Sequence, residues 1–199
     1  GRHAFVALKR GGVVVAWGDG EQGGDVCAVA DELAGGVRQV CASRGAFAAL
    51  KADGSVVTWG STFCGGDSAD EAELLADGVT RIAATDSAFA AVKTSGGVVT
   101  WGCSDRGGDS RAAAEQLREG VDMIFSTEAA FVAVKLDGSL VAWGSPEAGG
   151  SLGAAAAELQ ADADCCGGVP DVAAASASPA SLSEQTSAGQ WLAPALETT

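Results

Sequence analysis

The chain has 199 residues, 47% of them hydrophobic, and its 26 acidic and 12 basic residues give a formal net charge of −14. This charge disfavours non-specific attraction to nucleic acid phosphates or to anionic lipid surfaces. No apolar run approaches the ~20 residues of a membrane-spanning helix. The composition therefore predicts neither a nucleic-acid-binding protein nor a membrane protein.

One pattern occurs four times along the chain. It begins at Ala4, Ala46, Ala88 and Ala130, and successive starts are 42 residues apart. A fixed period in this range is typical of repeat proteins, in which a small unit buries its apolar face against its copies. We therefore predict four tandem units within residues 1–160. Their bounds are 1–45, 46–87, 88–129 and 130–160.

Each unit is predicted to contain a β-hairpin. The first half of the pattern alternates short apolar residues, the second half is rich in Val and ends in Trp-Gly, and Asp53-Gly54 and Asp137-Gly138 lie between the halves in two copies. Asp-Gly between alternating strands is a strong hairpin signal, because both residues tolerate positive φ. One Phe and one Trp recur in register and are predicted to be structural residues of the core: Phe5, Trp17, Phe47, Trp59, Phe89, Trp101, Phe131 and Trp143.

A short helix and a third strand are predicted between successive hairpins. The strand is indicated by the segments GVRQVCA, GVTRIAA and GVDMIFS, which hold Val or Ile at matching positions. The helix is indicated by Asp25, Asp67 and Asp109 at the N-cap, and by Gly after its end. An Ala and a Leu are predicted on one face of each helix: Ala30 and Leu33, Ala72 and Leu75, and Ala114 and Leu117.

The ends of the chain depart from the repeat. Ser151 replaces the recurring Asp of the fourth unit, and residues 161–199 are interpreted either as a degenerate fifth unit containing Trp191 or as a disordered tail. The chain begins within a unit and without an initiator Met, so we expect it to be a fragment.

The cysteines do not follow the repeat. Four of them lie at different positions of the unit and two are adjacent, so they indicate neither a repeated disulfide nor a repeated metal site. They favour free thiols in a reducing compartment, and hence an intracellular protein, cytoplasmic or nuclear. The cysteines are Cys27, Cys41, Cys64, Cys103, Cys165 and Cys166.

An Ala-Leu strand, an Asp-Gly turn and a strand ending in Trp-Gly, followed by a Gly pair, together resemble the regulator-of-chromosome-condensation repeat. The resemblance covers about residues 1–160 and is strongest to a 42-residue variant with the sequence GGDS, present at residues 65–68 and 107–110. It implies blades of a seven-bladed β-propeller, and four or five units are too few to close one. We expect a mainly β repeat protein with short helices between hairpins, forming an incomplete propeller-like array; an open βββα solenoid is the alternative.

The resemblance implies several functions. Family members serve as a nucleotide-exchange factor for a small GTPase, as substrate-binding modules of ubiquitin ligases and as a plant UV-B photoreceptor. Here GGDS replaces the family's Gly-Gln-Leu-Gly and His3 is the single His, so no motif for exchange activity carries over. A photoreceptor would need clustered Trp beside Arg, whereas each unit has one Trp on the core-facing side of its strand.

Catalysis and cofactor binding are not expected. An active site should break the repeat with converging, unlike groups, yet His3 lacks any accompanying nucleophile motif. The recurring GGD lacks the nine-residue spacing of stacked calcium repeats and has one carboxylate per unit. We therefore assign no catalytic residue, no metal ligand and no cofactor.

Protein binding is predicted instead. The segments DGEQ, STFC, CSDR and SPEA vary after a fixed Trp-Gly, and loops on a rigid scaffold often carry recognition residues. The segment from Asp67 to Asp77 holds five acids and no base; a solvated helix face is its plain explanation, and a basic protein surface would complement it. The candidate partner-binding residues are Phe63, Asp67, Asp70, Glu71, Glu73, Asp77 and Arg106.

The sequence therefore predicts a protein interaction module or scaffold. An exchange-factor or ubiquitin-ligase-associated regulator, as the resemblance implies, and a structural array without a dedicated ligand stay open as alternatives. The unpaired first strand is also expected to allow edge-to-edge self-association.

Overall fold

The computed structural model describes residues 1–153 and residue 155. Within them the chain folds into four small antiparallel sheets that follow one another in sequence. The first sheet consists of β1 (Ala4–Leu8) and β2 (Val14–Gly18). The second consists of β3 (Val37–Ala42), β4 (Ala46–Lys51) and β5 (Val56–Gly60). The third consists of β6 (Val79–Ala84), β7 (Ala88–Lys93) and β8 (Val98–Gly102). The fourth consists of β9 (Val121–Ser126), β10 (Ala130–Lys135) and β11 (Leu140–Gly144).

The predicted hairpins are confirmed in all four sheets. The register places each Phe directly opposite its Trp, as in the Phe47 and Trp59 pair. At the turn of the second sheet Gly54 has a φ of 84°, and the Asp53 carboxylate accepts hydrogen bonds from the Ser55 amide and hydroxyl at 2.9 and 2.7 Å. The Asp-Gly pair thus stabilises the turn through one side chain and one left-handed residue.

The predicted third strands are confirmed as β3, β6 and β9. Each pairs antiparallel with the first strand of the hairpin that follows it in the chain. Every three-stranded sheet therefore combines the end of one sequence unit with the hairpin of the next. This offset ties neighbouring units together through backbone hydrogen bonds.

The predicted helices are shorter than expected. A 3-10 turn at Cys27–Val29 leads into α1 (Ala30–Leu33), a turn at Ala69–Glu71 leads into α2 (Ala72–Leu75), and the third segment is a 3-10 turn at Arg111–Ala113. Leu33, Leu75 and Leu117 are buried as predicted. Their partners Ala30, Ala72 and Ala114 are exposed, so the two members of each predicted pair do not share a buried face.

The N-cap prediction for Asp25, Asp67 and Asp109 is wrong by one position. The cap positions are taken by Val26, Ser68 and Ser110, whose side chains make no capping bond. Each Asp carboxylate instead accepts from the amide two residues further on, at 2.8, 3.0 and 2.9 Å. This Asx turn suits a tight 3-10 start better than an α-helical cap does.

The hydrophobic core lies between successive sheets, where one face of a sheet packs on the opposite face of its neighbour. The ring face of each hairpin carries the stacked Phe and Trp, and the opposite alanine face carries small residues. The ring face of the third sheet consists of Phe89, Ala91, Val99 and Trp101, and it packs on an alanine face made of Ala46, Ala48 and Leu50. The second sheet packs on the first, and the fourth on the third, in the same way. Small residues on one face make room for rings on the other.

A hydrogen bond and a glycine complete each of these interfaces. Trp59, Trp101 and Trp143 donate their indole N–H to the carbonyls of Gly23, Gly65 and Gly107 at 3.0, 3.1 and 3.0 Å. A Cβ on those glycines would lie only 2.5, 2.7 and 2.6 Å from the Phe ring of the next unit. Glycine is required because the ring rests directly on the loop backbone.

The first sheet lacks such cover. Phe5 and Trp17 stack at 5.6 Å like the other pairs, yet they are 67% and 51% exposed, against 2% and 5% for Phe47 and Trp59. The prediction that Phe5 and Trp17 lie in the core is therefore wrong. No other part of the chain that the structure describes packs on the ring face of the first sheet. Among the described strands β1 pairs with β2 alone, so its second edge is open as the sequence predicts.

Two further predictions concern residues outside this structure. The degenerate fifth unit or tail, at residues 161–199, and the Cys165-Cys166 pair lie beyond the described residues. In the described part no disulfide joins the cysteines. None of its helices has the length and apolar character to cross a membrane.

Candidate partner-binding surface

The four variable loops share one backbone shape. Each forms a 3-10 turn that ends at a glycine in the left-handed region, with φ between 87° and 97°. In each loop the second glycine of the pair donates its amide to the residue after Trp-Gly, at 2.7 to 2.9 Å. The loops therefore offer a constant frame on which only the side chains change. They span residues 19–22, 61–64, 103–106 and 145–148.

Three hydroxyl groups, two of them on buried residues, position three of these loops. Thr85 accepts a hydrogen bond from the Ala88 amide at 3.0 Å and donates to the Arg106 carbonyl at 3.0 Å. Ser43 makes the same pair of bonds to Ala46 and to the Cys64 carbonyl, and Thr127 repeats the arrangement. The three residues were not predicted, although a Ser or Thr recurs there at 42-residue spacing in the sequence.

Three of the predicted acidic residues come together. Asp67, Asp70 and Glu71 line an open cleft of about 300 Å³, together with Thr62 of the second loop and the edge of Trp101. Burial raises the pKa of the Glu71 carboxyl, and the charges of Asp70 and Asp67 raise it further. The cleft is therefore a site of concentrated negative charge, where a cation would relieve repulsion.

Asp77 and Glu73 lie apart from this cleft. Asp77 is exposed, and its carboxylate lies 3.6 Å from the ammonium of Lys93. Lys93 also donates to the backbone carbonyls of Leu74 and Asp77, and so closes the end of this short helix. Glu73 is exposed within α2 and does not line the cleft. The five acids thus divide into three that line the cleft and two that lie in α2 or just after its end.

Phe63 and Arg106 occupy different environments. Phe63 lies in the second loop, next to Thr62 of the cleft, and is 86% exposed. Its equivalents in the other loops are Glu21, Asp105 and Glu147. Arg106 is half-buried at the end of the third loop, where Thr85 holds its carbonyl. Phe63 is therefore an exposed aromatic residue at a position where the other three loops carry an acid.

Comparison with known proteins identifies the fold. No family model and no curated protein matches the chain. Among solved structures, Prp20p from Saccharomyces cerevisiae, reported with its binding to Gsp1p and histones, is 20% identical over 72% of this chain and 43% of its own, with a TM-score of 0.51. Yeast RCC1 (Prp20) bound to Kap60 is 21% identical over 72% and 42%, with a TM-score of 0.51. The chain has the fold of regulator-of-chromosome-condensation repeats.

The likeness to these repeats is one of fold alone at such identities. Human WBSCR16 also matches, at 19% identity over 72% of this chain and 46% of its own, with a TM-score of 0.48. The chain spans less than half the length of these proteins. Its sheets correspond to blades of a regulator-of-chromosome-condensation propeller, and over the described residues they form an open array.

Proposed function

We propose that the chain is a protein interaction module that binds a basic protein through its row of loops and the acidic cleft. The observation that carries the proposal is the position of Phe63, 86% exposed beside a cleft lined by three carboxylates. An apolar anchor next to charged groups is a common arrangement at protein interfaces.

The fold itself gives no reason for an aromatic residue at this position. The three equivalent loops carry acids there and keep the same backbone shape. A Phe in place of an acid leaves apolar surface in water, which is unfavourable unless a partner covers it. Contact with a partner supplies that cover.

The charge of the surface favours a basic partner. Asp67, Asp70 and Glu71 concentrate negative charge at the cleft, and the whole chain carries −14. Complementary charge accelerates association and suppresses wrong partners, while apolar anchors supply more of the affinity. Prp20p is described as binding histones, which are basic proteins, so a dimer of core histones is a suitable first probe for this chain.

The test is a binding titration of the full 199-residue chain against that core histone dimer at physiological salt. We expect Phe63→Ser to weaken binding by about tenfold or more, as for an interface anchor. Replacing the cleft acids together, as Asp67→Asn, Asp70→Asn and Glu71→Gln, should mainly slow association and reduce its dependence on salt. Leu136→Ser is the matched control, since Leu136 is 74% exposed on a hairpin turn rather than on a loop.

Parallel titrations with duplex DNA and with GTP distinguish the alternatives. Tight binding of either, abolished by the loop substitutions, would contradict the proposal. Equal histone binding by the wild type and all loop variants would also contradict it. Accelerated nucleotide release from a small GTPase would instead support the exchange-factor alternative that the fold suggests.

A further inference from the structure

Two cysteines flank the place where the second loop meets the third. Cys64 is the last residue of the second loop, and Cys103 is the first residue of the third. The glycines bonded to them, Gly65 and Gly102, are in close contact. A Cβ built on Gly102 would lie 3.2 Å from the Gly65 Cα, and one built on Gly65 would lie 3.7 Å from the Gly102 Cα. The backbones of the two cysteines are therefore neighbours, although 39 positions separate them in the sequence.

Ser87 contacts both cysteines. Its carbonyl accepts a hydrogen bond from the Cys103 amide at 2.9 Å, and its hydroxyl lies 4.0 Å from Cys64 Sγ. One small residue thus lies beside the backbone of one cysteine and the sulfur of the other.

The preceding unit shows that side chains at these two positions converge. Gly45 stands there in place of Ser, with Gln22 and Ser61 at the positions of Cys64 and Cys103. A Cβ built on Gly45 would lie 3.3 Å from Gln22 Oε1 and 3.5 Å from Ser61 Cβ. Because the units share one backbone shape, the two cysteine side chains are directed toward the same point one unit later.

This junction differs chemically from the other two described junctions between loops. The equivalent pairs there are Gln22 with Ser61 and Arg106 with Ser145, which hold no thiol. Cys64 and Cys103 are both free and half-buried, so a small solute can reach them. A disulfide joins residues whose Cα atoms lie within about 7 Å, and the contact between the adjoining glycines is compatible with that distance.

We propose that Cys64 and Cys103 form a reversible disulfide that ties the second loop to the third. The oxidant is a small-molecule disulfide such as glutathione disulfide. One cysteine thiolate attacks it, forms a mixed disulfide and expels one small thiolate. The other cysteine thiolate then attacks the protein sulfur of the mixed disulfide, forms the Cys64–Cys103 bond and expels the second small thiolate. The two protein thiols thus lose two electrons and two protons, and the oxidant becomes two thiols.

The bond would link two neighbouring sheets at their interface. It would close the segment 64–103, which contains β6, β7 and β8, beside the bond from the Trp101 indole to the Gly65 carbonyl. Closing this segment restricts the unfolded chain and so stabilises the folded array. The inference is independent of the proposed function, because it uses neither Phe63 nor the cleft acids.

The test is incubation of the 199-residue chain with glutathione disulfide, followed by alkylation, digestion with trypsin and mass spectrometry. Cys64 and Cys103 lie in separate tryptic peptides, 52–81 and 94–106. We expect most of these two peptides to be recovered as one linked species, two hydrogens lighter than their sum, which dithiothreitol separates again. We also expect the Tm of the oxidised chain to exceed that of the reduced chain by about 5 °C.

Serine variants provide the controls. Cys64→Ser and Cys103→Ser should each abolish the linked species and the rise in Tm. Cys27→Ser is the matched control, because Cys27 is exposed and lies in another loop, and it should behave like the wild type. Mixed disulfides without the link, or a link from either cysteine mainly to a different cysteine, would overturn the proposal. A link that does not raise the Tm would also overturn it, since such a bond forms in an opened array and not in the folded one.

Discussion

The Trp residues illustrate how position in the array decides what one side chain contributes. Trp101 is 2% exposed, stacks on Phe89 and donates its indole N–H, whereas Trp17 is 51% exposed. We expect Trp101→Ala to lower the free energy of unfolding by about 3–5 kcal/mol, as for other large core truncations. Trp17→Ala should cost much less. Urea denaturation followed by circular dichroism measures both, and equal losses would contradict the described packing.

Thr85 provides a second test at the scale of one residue. Its buried hydroxyl bonds to the Ala88 amide and the Arg106 carbonyl. Thr85→Val keeps the shape but leaves the amide without its partner, and should cost about 1–3 kcal/mol. Thr85→Ser is the matched control, because Ser43 makes the same bonds naturally. Equal stability of the Val and Ser variants in urea would show that the hydroxyl is not needed.

Glu71 predicts a pH dependence with a definite sign. Its pKa in the folded chain lies above the usual 4.5, mainly because of burial and then because of Asp70 and Asp67. The folded state therefore holds the proton longer than the unfolded state, and ionisation of Glu71 costs stability as the pH rises above 4.5. We expect Glu71→Gln to raise the Tm relative to the wild type near neutral pH, and this advantage to shrink toward about pH 4. A difference that grows toward acid pH would contradict this.

Among the secondary-structure elements, those that recur every 42 residues with the same residue pattern could be predicted from the sequence. Hairpins and third strands followed from alternation and from turn residues such as Asp53 and Gly54, which act locally. The helices were predicted to be longer than they are, because an Asp before a Leu-containing segment is compatible with both an N-cap and an Asx turn. Only the tertiary packing of Leu33 and Leu75, one residue per turn, decided between a full helix and a single turn.

The glycine loops permit a comparison between two equivalent elements. Gly107→Ala adds backbone strain and also displaces the Phe131 ring, since the new Cβ would lie 2.6 Å from it. Gly149→Ala adds the strain alone, because nothing described lies within 4 Å. We expect the free energy of unfolding to fall more for Gly107→Ala than for Gly149→Ala at low protein concentration. The difference isolates the contact between ring and loop, and its absence would contradict that contact.

For the whole molecule, nearest-neighbour packing implies that stability varies along the array. The first sheet has two strands and an open ring face, whereas the third sheet is covered on both faces. We expect amides of β1 and β2 to exchange with solvent faster than those of β7 and β8. Hydrogen exchange followed by mass spectrometry resolves these segments. Uniform protection across the sheets would indicate a single cooperative unit instead.

The exposure of Phe5 and Trp17 marks the limit of prediction at this scale. Their sequence context is the same as that of Phe47 and Trp59, so a pattern within the unit predicts the same burial for both pairs. What differs is whether another unit lies against the ring face, and no residue within the unit encodes that. Likewise, the grouping of Asp67, Asp70 and Glu71 in one cleft, with Asp77 elsewhere, depends on how the single turn folds back toward Trp101.

The bond from each indole to a glycine 36 residues earlier also bears on how such a gene can change. Deleting residues 46–87 would return Trp101 to the spacing from Gly23 that Trp59 has now. A deletion whose length is not a multiple of 42 residues would leave an indole facing the wrong carbonyl and a ring without its glycine. Recombination between the repeats can therefore lengthen or shorten the array in whole units without a new contact having to evolve.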